Sequence, residues 1–113
     1  MVNFETFISL ILSFEDVEQH PHFDKKSFKV KKKIFATLNE KENRACLKFS
    51  EVDQYTFCRF DETIIYPVPN KWGKQGWTLI NLAKISEEML LDALTTSYCQ
   101  VAPPALGKKY LEF

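Results

Sequence analysis

Residues Ser27 to Phe49 read SFKVKKKIFATLNEKENRACLKF, and the alternation within them decides the fold. Phe28 and Val30 fall on one side of an extended chain, with Lys29 and Lys31 on the other; Ile34, Ala36 and Leu38 then alternate against Phe35 and Thr37. Ala45, Leu47 and Phe49 alternate in the same way against Arg44, Cys46 and Lys48. A two-residue period with one apolar side is the pattern of a half-buried β-strand. Lys31-Lys32-Lys33 makes a tight connection between the first two runs, and the polar stretch Asn39 to Asn43 makes the next, so the segment predicts a three-stranded antiparallel meander. Its outward face is expected to carry most of the lysines.

Upstream, Asn3 is placed as an N-cap, and Phe4, Phe7, Ile8, Ile11 and then Leu12 or Phe14 recur at helical spacing, which predicts a helix over 4–14. The acidic Glu15, Asp16 and Glu18 lead into His20-Pro21-His22-Phe23, where Pro21 disfavours a helical His20 and the chain is expected to be extended or turning. Downstream, Ser50 and Asp53 open a short helix with Val52, Tyr55, Phe57 and Phe60 as its contact face. Thr63 to Val68 is β-branched and aromatic but contains Pro67, which confines it to an edge strand or extended segment. Trp77 to Ile85 reads as a long last strand. Ser86, Glu87 and Glu88 then cap a helix that carries Leu90, Leu91, Leu94, Tyr98 and Val101 and stops at Pro103-Pro104. The order α-β-β-β-α-β-β-α predicts an α+β, two-layer sandwich, an antiparallel sheet with helices on one face, in a single domain over 1–113.

Composition bounds the function. At 113 residues with 45% hydrophobic and 14% aromatic side chains, the chain holds enough apolar mass for one packed core, which excludes a disordered tail. Lys plus Arg equals Asp plus Glu at 15 each, so no overall charge draws it to nucleic acid or membrane. That balance hides an asymmetry. Residues 25–48 hold nine basic residues against Glu40 and Glu42, a net of +7, and the rest of the chain carries −7. Cys46, Cys58 and Cys99 are odd in number and widely spaced, which predicts reduced, mostly buried thiols rather than a disulfide framework or a zinc knuckle. Phe7 to Phe14 is apolar, yet no basic residue precedes it, and no run reaches the roughly 20 residues of a membrane span. A cytoplasmic protein without a membrane partner is expected.

Two groups of residues are candidate binding elements. Lys25, Lys26, Lys29, Lys31, Lys32 and Lys33 are expected to project from one face of the sheet and its turn, as a footprint for a phosphate backbone or as charges that blunt an edge against aggregation. Lys71-Trp72-Gly73-Lys74-Gln75-Gly76-Trp77 holds both tryptophans and two of the three glycines. Its indoles, flanked by Lys71 and Lys74, either stack on a nucleic-acid partner or anchor a turn to the core. His20 and His22 would point to one side of a strand, a start for a metal site, but only Asp16 or Asp24 lies near in sequence; hydrogen-bonding histidines are expected instead, with no metal and no cofactor. No nucleophile elbow, phosphate loop or catalytic cysteine motif is present, so no catalytic residue is assigned and a non-enzymatic protein is expected.

The blocks EQHPHFDKKSFKV (Glu18 to Val30), Lys33 to Leu38, Lys71-Trp72-Gly73 with Gly76-Trp77-Thr78, and Val101-Ala102-Pro103 together resemble the MmcQ/YjbR family of small bacterial proteins, in that family's order and over nearly the whole chain. The resemblance implies a two-layer α+β domain of the secretion-chaperone-like type. It also implies DNA binding through a "double wing" arrangement of strands, and supplies no catalytic residues. Two partners follow as expectations: double-stranded DNA, held mainly by phosphates without base readout, or a protein whose extended segment adds to the sheet face or to the edge near Tyr66 and Pro67.

Overall fold

The computed structural model describes residues 1–111. Helix α1 spans Phe4–Leu12, and Asn3 caps it by accepting a 2.8 Å hydrogen bond from the Thr6 amide. Strands β1 (Val17–His22), β2 (Lys25–Val30), β3 (Lys33–Asn39) and β4 (Arg44–Lys48) follow as an antiparallel meander. Then come α2 (Glu51–Cys58), β5 (Ile65–Pro67), the one-turn α3 (Lys71–Lys74), β6 (Trp77–Asn81) and α4 (Glu87–Val101), and the described chain ends in α5 (Pro104–Gly107) and a 3-10 turn, Lys108–Tyr110. All strands join one α+β sheet in the order β1-β2-β3-β4-β6-β5, every neighbour antiparallel.

The core lies between one sheet face and the helices. Phe28, Val30, Leu38, Leu47, Ile65 and Ile80 meet Phe7 and Ile11 of α1 and Leu90, Leu94 and Tyr98 of α4, all buried. Phe7 stands edge-on to Phe28 at 5.8 Å between ring centroids, and Phe14 stacks on Tyr98 at 4.9 Å. At roughly 25 cal/mol per Å² of apolar surface, such side chains supply the main driving force of folding.

Four expectations change. Of the contact face expected for α2 only Phe57 packs against the core, while Val52, Tyr55 and Phe60 are exposed. The His20-Pro21-His22 segment takes the extended one of its two expected conformations and adds a strand, β1, to the expected order, because at the edge of a sheet only one side of the backbone must pair and Pro21 is tolerated there. Within β3 the expected alternation breaks. Phe28 faces Ala36 but Lys29 faces Ile34, so Phe35 is bulged out of register, and both Phe35 and Ala36 are buried while Ile34 turns to the opposite face. Phe35 gains Tyr98 as an edge-on partner at 5.9 Å. Strand β6 stops at Asn81 instead of reaching Ile85, because Asn81 turns the chain: its carbonyl accepts from Lys84 and Ile85 and its side chain from Ala83. Among the described residues no helix is long and apolar enough to cross a membrane.

Candidate nucleic-acid interface

Directly paired residues in neighbouring strands share a face, so the register fixes what the helix-free side of the sheet presents. One row crosses all six strands: His20, Ser27, Thr37, Cys46, Leu79 and Tyr66. On one side of it lie Lys29 with Ile34 and Lys48 with Trp77; on the other lie His22 with Lys25. This face is not the lysine-covered surface expected. Uncharged Ile34, Thr37, Cys46 and Leu79 occupy its middle.

A groove of about 550 Å³ runs over that middle. Ile34, Val68 and Leu79 give it aliphatic walls, Trp72 and Trp77 close one end, and His22 and Lys25 close the other; among the described residues no carboxylate lines it. Burial in the groove floor pushes the Cys46 thiol up to about 11, with the Lys25 ammonium pulling weakly the other way, so near neutral pH it is a thiol and a poor nucleophile. Each indole carries a cation: Lys48 Nζ lies 5.6 Å from the Trp77 ring centroid and Lys71 Nζ 5.6 Å from that of Trp72. Lys48 also donates to the Gln75 carbonyl, which holds it there.

The six meander lysines do not converge. Lys25 and Lys26 stand at one end of β2 and Lys31 to Lys33 at the other, roughly 20 Å away at 3.3 Å per residue. Lys26 pairs in register with buried Leu38, so it belongs to the helix side, where it meets Glu40 at 2.8 Å. Lys31 meets Asp16 at 3.0 Å. Lys25, Lys32 and Lys33 are exposed and Lys29 is half-buried, and Lys74 is exposed at the end of α3. The expectation of one basic face therefore becomes two basic ends, because β2 alternates and its turn lies a full strand length from its start.

A model of the YjbR family matches residues 12–100. The chain belongs to the YjbR family. Its structure is also similar to the crystal structure of Deinococcus radiodurans protein DR2400, described by the domain name DUF419. The TM-score is 0.73 and the identity 20%, with 90% of this chain and 83% of that chain covered. That likeness is one of fold. No curated protein matches the chain.

The Trp-bearing segment of this YjbR-family chain is shaped by its own backbone contacts. A Cβ on Gly73 would stand 1.9 Å from the Val68 carbonyl oxygen, and one on Gly76, whose φ is 104°, 1.9 Å from that of Phe49. Both glycines are thus required for packing the segment against β5 and the end of β4, whatever binds nearby. The indoles do not anchor a turn to the core: both lie on the face away from it, with Trp72 49% exposed. Gln54 of α2 fastens the segment by donating to the Gly73 carbonyl at 2.9 Å and to Thr78 Oγ1 at 3.0 Å. His20 and His22 share the open face, and among the described residues no group of three or more His, Cys, Asp or Glu side chains could hold a metal.

Sequence reasoning named Lys25, Trp72 and Trp77 and missed Ile34, Thr37, Cys46, Val68, Leu79 and the two supporting residues Lys48 and Gln54. Part of the signal was present, since Thr37 and Cys46 occupy outward positions of the meander without charge. The thiols also depart from the buried state expected: all three cysteines are free and only half-buried.

Proposed function

We propose that this YjbR-family chain is a non-catalytic DNA-binding module that docks on backbone phosphates through β2, β3 and the turn between them. The observation that carries this reading is the state of its cations. Of the nine basic residues from Lys25 to Lys48, only Lys26, Lys31 and Arg44 pair with carboxylates among the described residues. Unpaired ammonium groups release counterions when they meet phosphates, so affinity should fall steeply with salt, by a log–log slope of about −0.9 per phosphate contacted.

The test is fluorescence anisotropy with a labelled duplex of about 20 base pairs, roughly two helical turns, at low and physiological salt. Lys32→Glu/Lys33→Glu is the informative variant, because it leaves the Lys31–Asp16 pair in place. At least a ten-fold loss of affinity and a shallower salt slope are expected. Unchanged binding by that variant refutes the reading.

A protein partner is the second reading, favoured by one patch. Val52, Tyr55 and Phe60 are 73%, 64% and 65% exposed around α2, beside the short edge strand β5. A partner retained at about 0.5 M salt, where charges are screened beyond a few Å, would be held by such a patch rather than by the lysines.

A further inference from the structure

The groove on the open face differs from the basic turn in what it can hold. Its walls are two indoles and three aliphatic side chains, and cations stand at its ends: Lys25 at one, beside the His22 ring, and Lys71 and Lys48 over the indoles at the other. Its occupant must therefore combine flat apolar faces with negative charge at intervals. In duplex DNA the base faces are covered by their neighbours, and only phosphates and groove edges are offered outward; in a single strand each base has a free face.

From Trp77 on β6 to Lys25 on β2 the groove crosses three inter-strand spacings, roughly 14 Å at about 4.8 Å each. We propose that this groove binds a short stretch of single-stranded DNA, about two or three nucleotides. A base stacks on Trp72, and the flanking phosphates meet Lys71 and Lys48 at one end and Lys25 at the other. The assignment rests on the DNA-binding reading and adds a second, chemically distinct contact to it: the β2–β3 turn holds duplex phosphates, and the open face holds unpaired bases.

The chain provides its own reporter, because its two tryptophans both line this groove. Intrinsic tryptophan fluorescence is titrated with the oligothymidylate dT8, with thymidine monophosphate, and with the 20-base-pair duplex. Thymine oligomers are expected to quench the emission saturably. Trp72→Ala, which removes a half-exposed ring, and Lys25→Glu, which reverses an exposed charge, are each expected to weaken dT8 binding roughly ten-fold or more. A circular-dichroism melt on each variant confirms that it folds. The duplex is expected to leave the emission and its own affinity nearly unchanged in Trp72→Ala. No quenching by dT8, or a dT8 affinity in both variants equal to that of the parent chain, overturns the proposal, as does thymidine monophosphate binding as tightly as dT8. Duplex binding that responds to Lys32→Glu/Lys33→Glu without any dT8 signal overturns the groove assignment and leaves the phosphate-docking reading standing. The converse result, dT8 quenching without duplex binding, supports the groove and removes docking by the turn.

Discussion

Ser97 shows how a single hydroxyl supports an irregular strand. It is fully buried on α4, and its Oγ lies 2.7 Å from the Lys48 carbonyl and 3.2 Å from the Phe35 carbonyl. Phe35 is the bulged residue of β3, without a direct partner on β2, so its carbonyl is one that the ladder is least able to satisfy. Ser97→Ala removes the donor while leaving both carbonyls in the core. A loss of about 1–3 kcal/mol is expected, the range for a buried polar group left without a partner, read as a lower urea midpoint at unchanged slope. A midpoint equal to that of the parent chain would show that the ladder alone serves the bulge. Nothing near Ser97 in the sequence announces this role, because its partners lie 49 and 62 residues away.

At the scale of elements, the turn between β2 and β3 carries the clearest local conflict. Lys31 and Lys32 have φ of 49° and 71°, a left-handed pair that suits Asn-Gly far better than two lysines. Each non-glycine residue held there costs on the order of 1 kcal/mol. Lys31→Asn/Lys32→Gly should therefore raise stability by about 1 kcal/mol, even after loss of the exposed Lys31–Asp16 pair, whose contribution is about 0–1 kcal/mol. If the turn contacts phosphates, the same variant binds duplex DNA more weakly while melting at a higher temperature. Gains in both would show that these lysines serve neither purpose. The hairpin itself was legible from the alternation of Phe28 and Val30 against Lys29, and so were the caps at Asn3, Ser50 and Ser86, each of which accepts a backbone amide as expected. Strand β1 was hidden by Pro21, and the bulge at Phe35 by a run, Ile34 to Leu38, that alternates acceptably in either register. The groove was hidden for a different reason. Its walls come from β3, β4, β6 and α3, so no local pattern marks it, and only the pairing order brings Ile34, Cys46 and Leu79 side by side.

For the whole molecule, zero net charge is made of two halves of opposite sign, +7 over residues 25–48 and −7 elsewhere. The positive half is drawn into β2, β3 and β4 and their turns, whereas the acidic residues lie largely outside those strands, as with Glu51 and Asp53 at the start of α2 and Glu87 and Glu88 at the start of α4. Such a molecule presents patches of both signs to its neighbours without the mutual repulsion that a net charge supplies. Near the pI of about 6.7 and at salt of about 10 mM, where the Debye length is roughly 30 Å, copies should attract one another, basic turn to acidic helix. Static light scattering should then give a negative second virial coefficient that rises toward zero or above at about 150 mM salt, where screening shortens the reach to about 8 Å. The Lys32→Glu/Lys33→Glu variant lowers the positive pole and makes the net charge negative, so its coefficient at low salt should be markedly more positive. Attraction that persists unchanged from low to high salt would instead point to the exposed Val52, Tyr55 and Phe60 patch, since apolar contact is not weakened by screening.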